Sequence, residues 1–458
     1  MIASVAPILI AIGAFFLRII NLNNPQGFVF DEVYYVDGAR DLLNFGVEVD
    51  GLKPEFVVHP PIGKWCIALG IRIFGDNEFG WRITAAIAGT LIILIAARLA
   101  HELFYSPFLT AITAALLALD GLLLVHSRTA LLDLFLTLFV LTAAYFWFRR
   151  QFWYASIFFG LALATKWSAL YFIALFGFVT LYRLLRENSI NESLRTIGTR
   201  ILQFAVLPIA IYLSSWVGWF VSGRGWDRNH SSNSFASLIY YHKQMLDFHT
   251  SLVEKHAYQA NPWSWLIMGR PTSFFYESPK GCGSNTCAQE VLALGTPVLW
   301  WSATIAVAVL IGYWMWQFYH RKVDSRITFI LLGVIAGYLP WFFFQKRTVF
   351  SFYAVVFEPF LILALVYCAK LFIDRSRNPA DAQVIILGFV AVVFLNFLYF
   401  LPLYLGEVIT YAQWHMRMWF PSWIGWFVSE RGWDRDYASN PFSSVSYTHL
   451  TLPTKRIV

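Results

Sequence analysis

Charge is scarce in this chain: only 13% of its 458 residues are Asp, Glu, Lys or Arg, against about 25% in ordinary soluble domains. Four cysteines are too few to organise the fold, which excludes a disulfide-dense secreted scaffold. Cys66 and Cys368 fall in apolar runs and read as inert core thiols. Cys282 and Cys287 sit in the polar stretch Gly281-Cys-Gly-Ser-Asn-Thr-Cys287. With no second Cys or His pair beside them, they read as a small-loop disulfide formed in an oxidising space rather than a zinc site. A concentrated basic patch is also missing. The formal charge is +7, but Lys and Arg are thinly spread between apolar runs, which excludes a nucleic-acid binder.

What the chain has in quantity is apolar surface: 58% of residues are hydrophobic and 19% aromatic. A membrane span needs about 17–25 predominantly apolar residues. Eleven runs qualify, at about 2–20, 79–100, 107–126, 130–148, 152–165, 168–183, 200–220, 293–318, 327–344, 349–373 and 384–405. This predicts an all-α polytopic membrane protein. The first run has no basic flank and no small-residue cleavage site, so it reads as a span and not as a signal peptide. The Lys/Arg bias of short loops sets orientation. With the N-terminus inside and the C-terminus outside, the cytoplasmic ends hold most of the bases, among them Arg149, Arg150, Arg321 and Lys322. The short outer loops hold only Arg128, Lys166, Lys346 and Arg347.

Two long segments then face outward, about 21–78 and 221–292. The first is acidic from Asp31 onward. It contains two pieces with helical spacing of apolar residues, 31–43 and 62–74, suited to helices lying in the membrane interface. The second is rich in His, Trp and Tyr, and His242, His249 and His256 stand seven apart, as on one helix face. Aromatics of this kind pack on a bilayer or stack on sugars. Trp216-Val-Gly-Trp-Phe-Val-Ser-Gly-Arg-Gly-Trp-Asp-Arg228 recurs almost unchanged from Trp423 to Arg435. The stretch Ser446–Thr454 reads like translated adapter DNA, so residues 424–458 are expected to be a chimeric tail and 1–423 the functional unit.

Three constellations could carry chemistry. Phe30-Asp-Glu-Val-Tyr-Tyr35 presents Asp31 and Glu32 shortly after the first span. Asp31 is either a helix N-cap or a general base, with the adjacent carboxylate raising its proton affinity. His59-Pro-Pro-Ile-Gly-Lys64 pre-sets a helix entry and puts Lys64 in its first turn, where anions are favoured. His126-Ser-Arg-Thr-Ala-Leu-Leu-Asp133 sets Arg128 at a span end and Asp133 just inside the next span, where an acid is costly and marks a paired or functional position. Arg82, Lys166, Lys346 and Arg347 also stand at outer span ends. Singly each reads as a snorkelling anchor; converging, they suit a lipid phosphate.

Together with Gly160-Leu-Ala-Leu-Ala-Thr-Lys166-Trp, Gln345-Lys-Arg-Thr-Val-Phe-Ser-Phe-Tyr353 and Trp414-His-Met-Arg-Met-Trp-Phe-Pro-Ser-Trp423, these strings resemble the protein O-mannosyltransferase family in order and spacing, over about residues 12–423. The resemblance implies the GT-C fold, with about eleven transmembrane helices. It also implies an inverting transfer of mannose from a polyprenyl-phosphate carrier to Ser or Thr of proteins. A second loop of some 70 residues has no room for the β-trefoil domains of eukaryotic members, so the chain looks like a bacterial, actinobacterial-type member. That implies a plasma-membrane enzyme with its site outside, polyprenyl-phosphate-mannose as donor, unfolded exported acceptors and proximity to the Sec translocon. Asp31 matches the family's catalytic acid, with Glu32 positioning the acceptor. Lys64, Arg82, Arg128 and Lys166 are expected on the donor phosphate, supported by His59, Asp133, Lys346 and Arg347. The scheme requires no metal and no cofactor beyond the lipid-linked donor. The competing readings are a GT-C transferase acting on a lipid or glycan acceptor, and a transporter, which would carry its ionisable residues near mid-membrane.

Overall fold

The computed structural model describes residues 2–187 and 189–424; the second copy of the repeat and the suspected tail, apart from its first residues, lie outside them. The helices, in chain order, are α1 (Ile2–Ile19), α2 (Glu32–Phe45), α3 (Ile62–Phe74), α4 (Glu78–Phe104), α5 (Pro107–Ala118), α6 (Gly121–His126), α7 (Leu132–Phe148), α8 (Phe152–Leu163) and α9 (Ala169–Glu187). They continue as α10 (Ile190–Ile201), α11 (Leu207–Ser215), α12 (Val217–Val221), α13 (Ser234–Ser251), α14 (Pro297–Tyr319), α15 (Ser325–Tyr338), α16 (Glu358–Arg375), α17 (Pro379–Leu405) and α18 (Tyr411–Arg417). Among the described residues, six helical stretches are long and apolar enough to cross a membrane: Glu78–Phe104, Ala169–Glu187, Ile190–Ser215, Pro297–Tyr319, Ser325–Phe344 and Pro379–Leu405. Four more apolar helices are shorter, at Val5–Ile19, Pro107–Ala118, Leu132–Phe148 and Phe152–Leu163.

Several apolar runs are broken where the sequence suggests continuity, among them the following. The run 107–126 divides at Asp120, a fully buried acid. Its carboxylate accepts from Leu123 N at the start of α6 (3.0 Å), from Thr296 N (3.2 Å) and from Trp300 Nε1 (2.6 Å). The run 349–373 opens as a 3-10 helix, Ser351–Val356, before α16 begins.

The molecule is not all-helical. β1 (Val49–Asp50) and β2 (Lys53–Pro54) form a small hairpin. A three-stranded antiparallel sheet is built from β3 (Thr272–Glu277), β4 (Cys287–Ala293) and β5 (Val408–Thr410), in that order. Thr, Phe, Tyr and Val in β3 and β4 favour pleated backbone, and the stretch between them carries Gly281 and Gly283 at positive φ. The Cys282–Cys287 disulfide closes that turn, as expected, with Cα atoms 5.8 Å apart.

The loop helices fall where the spacing of apolar residues puts them. Two close contacts fix their packing. A Cβ on Gly63 would lie 2.6 Å from Leu132 Cδ2 and 3.0 Å from Thr165, so the first turn of α3 seats directly on the start of α7. Ile62 N also donates to Ala164 O (3.0 Å), tying α3 to the turn that carries Lys166. A Cβ on Gly38 would meet Lys64 Cδ at 2.9 Å, which brings α2 equally close to α3. The three histidines do not share a helix: α13 ends at Ser251, so His256 leaves the face that holds His242 and His249.

Candidate active site

Asp31 sits at the N-terminal end of α2, and its side chain makes no capping hydrogen bond. The cap reading therefore leaves it unexplained. Phe30, just before it, has φ +53°, a conformation few aromatic residues adopt. Its ring is wedged against Phe274 (4.6 Å between centroids) and Phe352 (5.3 Å), and that packing holds the turn. Tyr35, one helical turn on, reaches Asp31 Oδ2 at 3.5 Å. Burial is the main reason the Asp31 carboxyl is pushed up to about 7; nearby Asp133 adds to the rise, while Lys166 and the Tyr35 hydroxyl oppose it.

Lys166 Nζ donates to both oxygens of Asp133, each at 2.9 Å, and sits 4.6 Å from the centre of the Tyr353 ring. Asp133 is buried, and of the two cations the sequence offers as its partner, Arg128 and Lys166, it pairs with Lys166. His59 lies 6.0 Å from Tyr35 and 5.4 Å from His249, centroid to centroid. Burial, then Lys166, His249, Lys64 and Arg347, hold its imidazole well below the usual range. Three of the expected cations, Lys166, Lys64 and Arg347, thus disfavour a proton on His59. Arg347 Nη2 lies 3.3 Å from His249 Nδ1. His249 Nε2 is 2.9 Å from Val58 O, so Nε2 carries the proton and Nδ1 accepts. Burial and Arg347 push the His249 ring down to about 4, which keeps that acceptor neutral. The Arg347 Nε is buried and has no hydrogen-bond partner among the described residues, a costly state for a guanidinium.

Other expected site residues are used up within the protein. Glu32 is fully buried and receives the Arg82 fork, Nε to Oε1 and Nη2 to Oε2, both 2.8 Å. It also accepts from Val29 N and Ala130 N, each at 2.8 Å. Arg82 directs its remaining donors to the carbonyls of Leu22 (3.2 Å), Pro25 (2.8 Å) and Gly27 (2.8 Å). No donor of Arg82 is left for a phosphate, and Glu32, already neutralised, is not what raises Asp31. Arg128 donates to the carbonyls of Leu17, Arg18, Ile20 and Asn21, closing the C-terminal end of α1. Lys64 is buried and paired with Glu48. Lys346 is exposed.

Tyr35, Tyr353 and His249 complete the cluster without having been singled out as site residues. Tyr35 was legible as the residue one turn after Asp31, and Tyr353 as the end of the Gln345–Tyr353 string. Among the described residues no group of three or more His, Cys, Asp or Glu could hold a metal ion.

Two family models match the chain. "Dolichyl-phosphate-mannose-protein mannosyltransferase" covers residues 8–217, and "C-terminal four TMM region of protein-O-mannosyltransferase" covers 234–423. A polyprenol-phosphate-mannose–protein mannosyltransferase of Mycolicibacterium smegmatis is 32% identical over 470 residues, spanning 89% of this chain and 90% of that protein. Its counterpart in Corynebacterium glutamicum is 30% identical, over 86% and 88%. Among solved structures, the Saccharomyces cerevisiae Pmt1-Pmt2 complex bound to the sugar donor superposes with a TM-score of 0.78 at 15% identity, covering 92% of this chain and 93% of that one. ArnT from Cupriavidus metallidurans bound to undecaprenyl phosphate gives 0.54 at 16% identity, over 88% and 76%. These two likenesses establish a shared membrane GT-C fold. By the extent of its sequence match, the chain belongs to the protein O-mannosyltransferase family and is a glycosyltransferase.

Proposed function

We propose that the chain transfers mannose, with inversion, from polyprenyl-phosphate-mannose to Ser or Thr hydroxyls of exported proteins at the outer face of the plasma membrane. The observation that carries this reading is Asp31, a carboxyl raised to about 7 beside the Lys166–Asp133 pair, with the unpartnered Nε of Arg347 in the same group of loop and span-end residues through His249 and His59. A sugar 1-phosphate already has a good leaving group. The reaction needs a base for the attacking hydroxyl and cations for the departing phosphate. Asp31 takes the hydroxyl proton as the oxygen bonds to C1 of mannose. The bond from C1 to the phosphate oxygen breaks with its electron pair on the carrier phosphate. Lys166, oriented by Asp133, has one N–H beyond the two given to that carboxylate, and Arg347 has its free Nε–H; both suit the phosphate. Glu32 and Arg82 hold the turn that carries Asp31.

The test is transfer in liposomes containing the purified protein, polyprenyl-phosphate-mannose and a Ser/Thr peptide. Mannosyl peptide of inverted anomeric configuration is the expected product. Sugar moving only to a lipid or glycan acceptor would favour the competing transferase reading. Because Asp31 must be ionised to act as base and its carboxyl is raised to about 7, kcat/KM is expected to fall below about pH 7 and to level off above it. A profile flat from pH 5.5 to 8 would remove Asp31 from the base role. Arg347→Met is expected to raise the donor KM by about 10–100-fold, the worth of a charged hydrogen bond of roughly 1.5–3 kcal/mol. An unchanged donor KM would exclude Arg347 from the phosphate.

A further inference from the structure

Arg347 stands in the turn between the 3-10 helices Leu339–Phe344 and Ser351–Val356, so irregular backbone carries its guanidinium. That backbone is fixed from outside itself. Thr348 N donates to Leu252 O (3.1 Å), and Thr348 Oγ1 donates to Glu254 O. Ala260 N donates to Val349 O (2.8 Å), and Ser351 Oγ to Arg270 O (2.8 Å). Four bonds thus stitch residues 348–351 to the segment 252–270. The segment contains a strained turn. Met268 has φ +52°, a conformation uncommon for a residue with a side chain, and such strain persists only where the surroundings over-determine it. Some of that support is local: Met268 N donates to Trp265 O (3.0 Å) and Gly269 N to Ser264 O (2.9 Å). More comes from the other end of the chain. Trp423 Nε1 donates to Met268 O (2.8 Å), and Ser422 Oγ to Gly269 O (2.5 Å). Trp423 is buried, its ring against Trp419, Phe420 and Phe400. Earlier in the same stretch β5 pairs with β4, and Trp414 Nε1 donates to the buried Glu290 Oε2 on β4 (2.5 Å).

We propose that Ser422 and Trp423 are positioning residues for Arg347: the strap 408–423, anchored on β4, clamps the strained turn at Met268 and Gly269, and that turn holds the Arg347 loop in place. The assignment rests on the reading of Arg347 as a phosphate contact given above. The route is short and continuous. Ser422 and Trp423 bind the carbonyls of Gly269 and Met268, the next carbonyl, that of Arg270, takes Ser351, and Ala260 and Leu252 hold the residues directly after Arg347. A misplacement of about 1 Å caused by a distant change is enough to weaken a positioned contact. The strap therefore acts on donor binding without touching the donor.

Trp423→Phe keeps an aromatic ring and removes the indole donor, and the milder Ser422→Ala removes the second bond. Each is made alone and together with Arg347→Met in the full chain. Donor KM, peptide KM and kcat are measured in liposomes with polyprenyl-phosphate-mannose and a Ser/Thr peptide, and amide hydrogen exchange is followed over residues 345–353. Each strap variant is expected to raise the donor KM about 3–10-fold, the worth of one lost hydrogen bond, at unchanged peptide KM and kcat. On top of Arg347→Met it is expected to add nothing, because both changes remove the same contact. Exchange over 345–353 is expected to quicken in both strap variants. A donor KM that stays at the wild-type value, a rise that adds in full to that of Arg347→Met, or unchanged exchange in both variants overturns the assignment. Faster exchange while Arg347→Met leaves the donor KM alone supports the clamp and defeats the phosphate contact beneath it. No transfer by the wild type defeats the transferase reading, and the exchange result then decides the clamp by itself.

Discussion

Asp31→Asn is expected to abolish mannosyl transfer while leaving donor binding intact. Removing a positioned general base costs about 10²–10⁴-fold, and Asn keeps the size of the side chain. The variant also has a stability signature. The folded carboxyl is raised from 3.8 to about 7, so between those values the folded state holds the proton more tightly than the unfolded chain. Stability therefore declines as pH rises through that window, and above about 7 the full penalty of an ionised, enclosed carboxylate is present. Asn removes the penalty, so the variant should melt no lower than wild type at pH 8. Transfer assays, donor binding by calorimetry and thermal denaturation in detergent separate the outcomes. Near-normal turnover would dismiss Asp31 as the base; inactivity with a lowered melting point would make it a structural residue instead.

Arg82→Met is expected to fail at the level of folding. It leaves the Glu32 carboxylate buried with two amides and no cation, and it orphans the carbonyls of Leu22, Pro25 and Gly27. Breaking one side of a buried pair costs about 3–5 kcal/mol, enough to deplete folded protein in the membrane. Arg82→Lys is expected to recover little, because a single ammonium cannot reproduce the fork or reach three carbonyls. Yield of folded protein and melting temperature are the readouts. A stable Arg82→Met protein with only weakened donor affinity would return this residue to the phosphate.

These two variants show what the sequence revealed and what it withheld. Asp31, Lys166 and Asp133 were legible because an acid or base at a span end is costly enough to need a reason. The apolar runs located most of the helices, and periodicity located α2 and α3 in the polar segments between them. The cations were not separable. Arg82, Arg128 and Arg347 look alike as single residues beside apolar runs. Only the fold shows that Arg82 and Arg128 direct their donors to carbonyls roughly 60 and 110 residues away, while Arg347 keeps one unused. The sheet escaped notice for a related reason. β5 is three residues long and pairs with β4 more than a hundred residues earlier, so no local pattern announces it. Asp120 is hidden in the sequence because the apolar residues around it outweigh one acid in any averaged pattern.

The Glu32 clamp has a kinetic side. One carboxylate ties Val29, Ala130 and Arg82 together, and with them the first turn of α2, the start of α7 and the body of α4. These elements can separate only if all four contacts break at once, so the frame around Asp31 opens on the slow timescale of subglobal unfolding. A threading polypeptide samples its conformations far faster. Under the proposed mechanism the neighbour of Asp31 acts as a separator of timescales: an acceptor would search quickly past a carboxylate that stays still for the whole of the search.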